Sequence, residues 1–307
     1  MKENKPQQLS QLMAGCPCLD IRGPLEREIT SLVYDSKKAE PQSLFIAIPG
    51  FQFDGSRFVS DAVKRGATAF VTETPLDQVE EANLKGITAI NVENARRTLS
   101  FVSSLIYRHP SRNLDLVGIT GTNGKTTVAY LLESVFDAHG RSTGVIGTIN
   151  YRFGGKMLPA SITTPESLEL NQMMAEMLDL GVHNCVLEVS SHSLTLQRVR
   201  DLAFAVAVFT NLSRDHLDFH DVLEDYILSK KSLFTEHNVA KKVVNTDDLL
   251  GREIWQEAPK DTLTTAIHGQ ASVMAENIVL NERESRFDLK TPWGGRQIRS
   301  RLLGKHN

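Results

Sequence analysis

The sequence predicts an α/β protein of two domains, a small N-terminal α/β domain followed by a larger central domain built on a mostly parallel sheet. Three observations carry this expectation. The chain of 307 residues exceeds the ~250 residues at which a single core usually stops growing. Short apolar runs alternate with amphipathic helical stretches over most of its length, as they do where strands buried on both faces are joined by covering helices. A polar segment, Arg108-His109-Pro110-Ser111-Arg112-Asn113, interrupts the alternation with the composition of a linker. It sets the expected boundary between 1–110 and 111–307.

In the first domain, Ser43 to Ile48 reads as a strand and Arg57 to Arg65 as a helix stopped at Gly66. Strands at Thr68 to Thr72 and Ile87 to Val92 and a helix from Ala95 to Tyr107 complete it. Beyond the linker, Leu114 to Thr120 reads as a strand and Lys125 to His139 as a helix whose stripe Val128, Leu131, Leu132, Val135 and Phe136 faces the core. Gly144 to Ile149, Cys185 to Val189, Ala203 to Thr210 and Lys242 to Asn245 are further strands, with helices at Ser167 to Leu180 and Val222 to Glu236. From Ala271 to Leu303 the pattern turns to short β segments around Pro292-Trp293-Gly294-Gly295.

Composition narrows the function classes. The chain is 41% hydrophobic and 23% charged, within the range of soluble globular proteins. A net charge of -3 gives no overall electrostatic reason for a nucleic-acid partner, and Arg296, Arg299, Arg301 and Lys305 read as a solvated strand face. The polar start, Met1 to Gln8, and the shortness of the longest apolar run, Leu202 to Phe209, argue against a membrane association and for the cytoplasm. Three cysteines, Cys16, Cys18 and Cys185, make neither a disulfide framework nor a zinc site.

The chemistry centres on Gly121-Thr122-Asn123-Gly124-Lys125-Thr126-Thr127. This glycine-rich turn joins a strand to an amphipathic helix, where backbone N–H groups and the helix N-terminus can surround phosphate oxygens. Lys125 would add a point charge at the outer phosphates and Thr126 a hydroxyl for magnesium. Ile119 stands where the common phosphate-loop motif has its first glycine, so the spacing departs from that motif. An acid for the magnesium is expected from elsewhere, and Glu188 ends an apolar strand where α/β sheets gather their ligand groups. The alternative is a carboxylate reaching solvent. Lys230 interrupts the apolar stripe Leu223, Tyr226, Ile227, Leu233 and Phe234, while Lys231 points outward. Its bland reading is a stem that snorkels to water. His216 and His220 have the spacing of a zinc pair but lack the glutamate and third ligand of such sites. Magnesium for one and a structural role for the other is preferred.

Taken together, these residues resemble the Mur ligases of bacterial cell-wall synthesis, most closely those that add the third residue of the muramoyl peptide. The likeness rests on Asp35-Ser36, Leu44-Phe45-Ile46-Ala47-Ile48-Pro49-Gly50, Asp54-Gly55, the loop at Gly121 to Thr127, Thr163-Thr164-Pro165, Glu188-Val189-Ser190-Ser191-His192 with Arg198, Thr210 to Asp218, and Tyr226, Lys230 and Phe234. It implies that the first domain holds the UDP end of UDP-N-acetylmuramoyl-L-alanyl-D-glutamate, with Ser36 among its contacts. Thr163, Thr164, Ser190 and Arg198 would touch the muramoyl peptide, and the central domain would bind ATP through Gly121, Thr122, Asn123, Gly124, Lys125, Thr126 and Thr127. Thr126, Glu188 and His216 would serve magnesium, and Lys230 would be carbamylated, since carbon dioxide adds to the neutral amine that burial favours. Lys125, Lys230 and His216 would be the catalytic set. The implied reaction phosphorylates the D-glutamate side chain and lets the amine of a diamino acid, meso-diaminopimelate or lysine, displace the phosphate.

Members of this family carry a third domain that chooses the amino acid. The end, Leu302 to Asn307, resembles the hand-over to it, so the chain is expected to be an incomplete form, inactive unless another chain supplies that domain. A non-catalytic ATP and UDP-muramoyl-peptide binding fragment and an unrelated phosphate-loop ATPase are the alternatives.

Overall fold

The computed structural model describes residues 6–50, 53–213 and 222–302, which form two compact units. The first comprises Met1–Pro110 together with Glu166–Glu176 and Leu196–Asp201; the second comprises Ser111–Pro165, Met177–Thr195 and Leu202–Asn307.

The first unit opens with β1 (Gln7–Gln8), α1 (Leu9–Met13), β2 (Cys18–Arg22), β3 (Glu28–Ile29) and β4 (Ser31–Val33), followed by β5 (Ser43–Ala47), α2 (Val59–Lys64), β6 (Ala69–Thr72), β7 (Thr88–Val92) and α3 (Ala95–Ile106). Its main sheet runs β2-β7-β6-β5-β4, with β2 alone antiparallel to its neighbour. Strand alternation sends Leu44 and Ile46 to one face, against α1 and α3, and Phe45 and Ala47 to the other, against Val59 and Ala62 of α2. Asp35 and Asp54 each cap a 3-10 turn, accepting from the Lys37 and Ser56 amides. A Cβ at Gly55 would lie 2.4 Å from the Ile48 carbonyl, so this turn closes only with glycine.

The second unit contains β8 (Asp115–Thr120), α4 (Lys125–Ala138), β9 (Thr143–Ile146), β10 (Asn150–Phe153) and β11 (Lys156–Pro159). After α5 (Ser167–Asp179), most of which belongs to the first unit, come β12 (Asn184–Glu188), α6 (Ser191–Thr195), β13 (Ala203–Phe209), α7 (Leu223–Thr235), β14 (Asn238–Asn245), α8 (Leu249–Glu257), β15 (Thr262–Ala266), β16 (Val273–Leu280), β17 (Ser285–Thr291) and β18 (Gly294–Ser300). All these strands form one sheet in the order β11-β10-β9-β12-β8-β13-β14-β15-β16-β17-β18. The centre, β9 to β16, is parallel, and antiparallel strands extend both ends. Among the described residues no helix is long and apolar enough to cross a membrane.

The sequence-based reading needs correction at several points. In α4, Val128, Leu132 and Phe136 pack on the core around fully buried Ala129, whereas Leu131 and Val135 are 46% and 62% exposed. The helix seats on its alanine, one residue or about 100° round from Val128, because the small side chain allows closest approach to the sheet. Lys231, turned away from Lys230, places its Nζ 2.7 Å from Glu257 and 3.6 Å from Glu253, both exposed, tying α7 to α8. The cysteines are unpaired. Arg296, Arg299 and Arg301 are exposed, and Lys305 lies outside the described residues.

Helix α8 approaches β14 through Gly251, where a Cβ would meet the Asn245 carbonyl oxygen at 1.9 Å. Backbone must move to admit it. Gly251→Ala is therefore expected to destabilise the protein by about 1–3 kcal/mol in urea denaturation. Gly269→Ala, with only the Asp247 carboxylate 3.9 Å away, should be nearly neutral.

Candidate functional site

The phosphate-loop candidate lies where β8 ends, at the carboxyl edge of the parallel strands and between β12 and β13, the edge at which open α/β sheets bind ligands. Gly121 has φ +147°, and a Cβ there would fall 1.9 Å from Thr210 Oγ1. Gly124, with φ +85°, turns the chain into α4, a left-handed step suited to glycine. The end of β13 braces the loop. The Thr122 amide donates to the Asn211 carbonyl at 2.8 Å, and the Asn123 amide to Asn211 Oδ1 at 3.0 Å. Thr210 Oγ1 donates to the Asn123 carbonyl at 2.6 Å. Lys125 Nζ folds back to the Gly121 and Thr122 carbonyls at 2.8 and 3.0 Å, while Thr126 and Thr127 occupy the first turn of α4.

Lys230 does not snorkel. It is 1% exposed, its Nζ donates to the Gly121 carbonyl at 3.0 Å and lies 4.5 Å from the centroid of the Tyr226 ring. Tyr226, on the same face one turn earlier, carries its hydroxyl to 3.0 Å from Thr122 Oγ1. The interruption of the α7 stripe is thus a cationic end placed under the loop and stacked on an aromatic face.

Glu188 is likewise 1% exposed, so the solvent-reaching alternative fails. Its carboxylate accepts from Thr126 Oγ1 at 2.9 Å, from Thr148 Oγ1 at 2.9 Å and from the Thr148 amide at 3.2 Å. Among the described residues no cationic side chain lies within ion-pair distance of it. A buried carboxylate with only hydroxyl and amide donors fits a hard cation such as magnesium, which takes oxygen ligands. Among the described residues no cluster of three or more His, Cys, Asp and Glu side chains converges. Hydroxyls and phosphate oxygens would have to complete such a site. His216 and His220 lie outside the described residues.

Gly147 and Thr148 were missed by the sequence reading. A Cβ at Gly147 would stand 2.2 Å from Glu188 Oε1, so the carboxylate keeps its place only beside a glycine. Thr148 Oγ1 also lies 3.2 Å from Thr163 Oγ1. A hydroxyl has one proton, and that of Thr148 goes to Glu188, so Thr163 donates in this pair. The signal was present as a Gly-Thr step at the end of β9, but only the fold brings β9 beside β12.

Thr164 Oγ1 donates to the Glu188 carbonyl at 2.8 Å and accepts from the Ser190 amide at 3.1 Å. Ser190 Oγ in turn caps α6, accepting from the Ser193 amide at 3.1 Å. Thr163, Thr164 and Ser190 therefore gather around Glu188. Ser36 and Arg198 belong to the first unit. Ser36 is buried, and Arg198 Nε donates to Glu166 at 2.9 Å. A cavity of about 350 Å³ opens at the opposite ends of β8 and β12, lined by Arg112, Asp115, Arg141 and His183 among others. Its Arg141 is paired with Asp115, and it is remote from the loop along the strands.

This combination of a glycine loop at a parallel-sheet edge, a buried acid beside its threonine and a buried lysine beneath it defines a class. The Mur ligase middle domain matches residues 119–307 and the Mur ligase family catalytic domain residues 28–105, and the chain belongs to the Mur ligase family. It is similar to the UDP-N-acetylmuramoyl-L-alanyl-D-glutamate–2,6-diaminopimelate ligase of Alkaliphilus metalliredigens, 41% identical over 299 residues, covering 96% of this chain and 59% of that one. The ligase of the same name from Geobacter sulfurreducens is 41% identical over 294 residues, covering 94% and 57%. The chain thus spans less than two thirds of these relatives' length. Among solved structures, one of a UDP-N-acetylmuramoyl-L-alanyl-D-glutamate–2,6-diaminopimelate ligase superposes with a TM-score of 0.84 at 24% identity, covering 99% of this chain and 61% of that one. MurF from Acinetobacter baumannii gives 0.65 at 22%, covering 99% and 63%. Both share the fold.

Gly147→Ala should displace Glu188 from Thr126 while leaving the bonds that brace the loop on Asn211 in place. Titration calorimetry with ATP and magnesium is expected to show affinity falling roughly tenfold, with binding in the absence of magnesium much less affected.

Proposed function

We propose that this chain supplies the nucleotide-binding and muramoyl-peptide-binding parts of an ATP-dependent ligase that joins 2,6-diaminopimelate to the D-glutamate of UDP-N-acetylmuramoyl-L-alanyl-D-glutamate. The observation that carries the proposal is the convergence of Glu188 and Lys230, both buried, on the two sides of the glycine loop: Glu188 on Thr126 and Lys230 on the Gly121 carbonyl. An unrelated phosphate-loop ATPase has no use for the buried lysine.

In this reading residues 1–110 form the UDP-muramoyl-binding domain, with Ser36 at the UDP end, and residues 111–307 the ATP-binding domain. Thr163, Thr164, Ser190 and Arg198 serve the muramoyl peptide. The backbone of Gly121 to Thr127 and the N-terminus of α4 surround the phosphates, and Lys125 leaves its loop carbonyls to neutralise charge on the transferring group. The γ-phosphoryl group passes from ATP to a carboxylate oxygen of the D-glutamate side chain, leaving ADP. The amine of the diamino acid then attacks the acyl carbon, phosphate departs, and the amine loses a proton. Thr126, Glu188 and a carbamylated Lys230 would hold magnesium, which when bound offsets phosphate charge; His216 is assigned to the same task by resemblance. Carbamylation joins the Lys230 amine to carbon dioxide with release of one proton and gives the buried position oxygen donors.

Ligase activity is to be measured as ATP-dependent coupling of 2,6-diaminopimelate to the UDP-muramoyl dipeptide, in a protein extended to the length of the relatives. Lys230→Ala is expected to lower kcat by roughly a hundredfold or more, with partial recovery on adding short carboxylic acids. Undiminished turnover in Lys230→Ala would remove the lysine from the mechanism. Lys125→Ala should lose activity that no carboxylic acid restores.

A further inference from the structure

Within the second unit, a row of hydroxyls joins Thr163 to Glu188. The one Thr148 hydroxyl proton is given to Glu188 Oε2 at 2.9 Å, so Thr163 Oγ1 is the donor to Thr148 Oγ1 at 3.2 Å. The same Oε2 accepts from Thr126 Oγ1 at 2.9 Å, and Oε1 accepts from the Thr148 amide at 3.2 Å. We propose that Thr148 is a positioning residue whose hydroxyl couples the two halves of the site: magnesium-nucleotide at Glu188 and the muramoyl peptide at Thr163 each tighten binding of the other. The inference rests on the assignments of Glu188 to magnesium and of Thr163 to the peptide.

A carboxylate oxygen has two lone pairs, and at Oε2 two hydroxyl protons occupy them. A cation reaching that oxygen must displace one. Thr126 meets a cation through its own oxygen and keeps its proton for Oε2, so the bond given up is that of Thr148. The displaced proton has an acceptor in place, Thr163 Oγ1. Once it turns there, the Thr163 proton is released for an acceptor on the peptide, a carbonyl or carboxylate oxygen. The row then runs in reverse, and a ligand at either end favours the direction that suits the other. Glu188 keeps its place, because the Thr148 amide still holds Oε1. Nor is the Thr163 hydroxyl needed to hold its own segment. The Ile162 carbonyl accepts from the Tyr151 hydroxyl at 2.5 Å, and Thr164 is fixed between the Glu188 carbonyl and the Ser190 amide. With both neighbours anchored, the bond between Thr163 and Thr148 can switch without loosening the chain. Thr148 is exposed and Thr163 half-buried, so water offsets the bond while the hydroxyls turn.

The test is calorimetric titration of the 307-residue chain with ATP, with and without magnesium, in the absence and presence of saturating UDP-N-acetylmuramoyl-L-alanyl-D-glutamate. With magnesium, the dipeptide should tighten ATP binding to the unaltered chain roughly tenfold, and without magnesium by less than about twofold. Thr148→Val keeps the amide and removes the hydroxyl, and is expected to bring the magnesium-dependent gain below about twofold. Thr148→Ser, which retains a hydroxyl, should keep most of it. A merely structural threonine would weaken both ligands and leave the gain unchanged. Thr148→Ala serves should Thr148→Val fold poorly. A gain that persists without the hydroxyl, that is equally large without magnesium, or that is missing from an unaltered chain that binds both ligands overturns the coupling. If the unaltered chain binds ATP but not the dipeptide, it is the assignment of Thr163 to the peptide that falls, and the inference with it.

Discussion

A buried carboxylate with no cation in ion-pair contact among the described residues organises the second unit. Removing an ionised group from water is costly unless hydrogen bonds or a metal compensate, and Glu188 receives three such bonds, from Thr126 and from both the amide and hydroxyl of Thr148. The geometry around it follows from that need. Gly147 must lack a side chain so that the carboxylate can sit against it. Thr164 holds the Glu188 carbonyl from behind, and the first turn of α4 must lie close enough for its threonine to reach across. One charged group at a strand end thereby fixes the relation among β9, β12 and the glycine loop.

Lys230 solves the complementary problem from the other side. Its Nζ is buried against a carbonyl of the loop and an aromatic face. Glu188 and Lys230 flank the loop from opposite sides, each held by its own hydrogen bonds.

Much of this was legible in the sequence, and the gaps have physical causes. The fold class and the central strands could be read because parallel strands covered on both faces leave near-continuous apolar runs, as at Leu116 to Ile119 and Cys185 to Val189. Edge elements could not: β11 is exposed along its length, and β2 is mostly so, and strands without a buried face carry little periodicity. Helix α8 was missed because its short apolar pattern is broken by the glycine that lets it pack. The loop and Lys230 announced themselves locally, one by glycine spacing and one by a charge in an apolar stripe. Glu166 and Thr148 did not, since their partners lie 32 and 40 residues away in sequence and only tertiary folding defines what they do.

The division of the chain also has a consequence for its synthesis. The first unit needs Glu166–Glu176 and Leu196–Asp201, which emerge from the ribosome long after Pro110. At about 5–20 residues per second, the N-terminal sheet waits on the order of ten seconds for the pieces that carry Glu166 and Leu168. During that interval the patch that Leu168 later covers is bare, and β8, α4 and β9 are already available to collapse. The nascent chain therefore completes its N-terminal half only after part of its second half has been made.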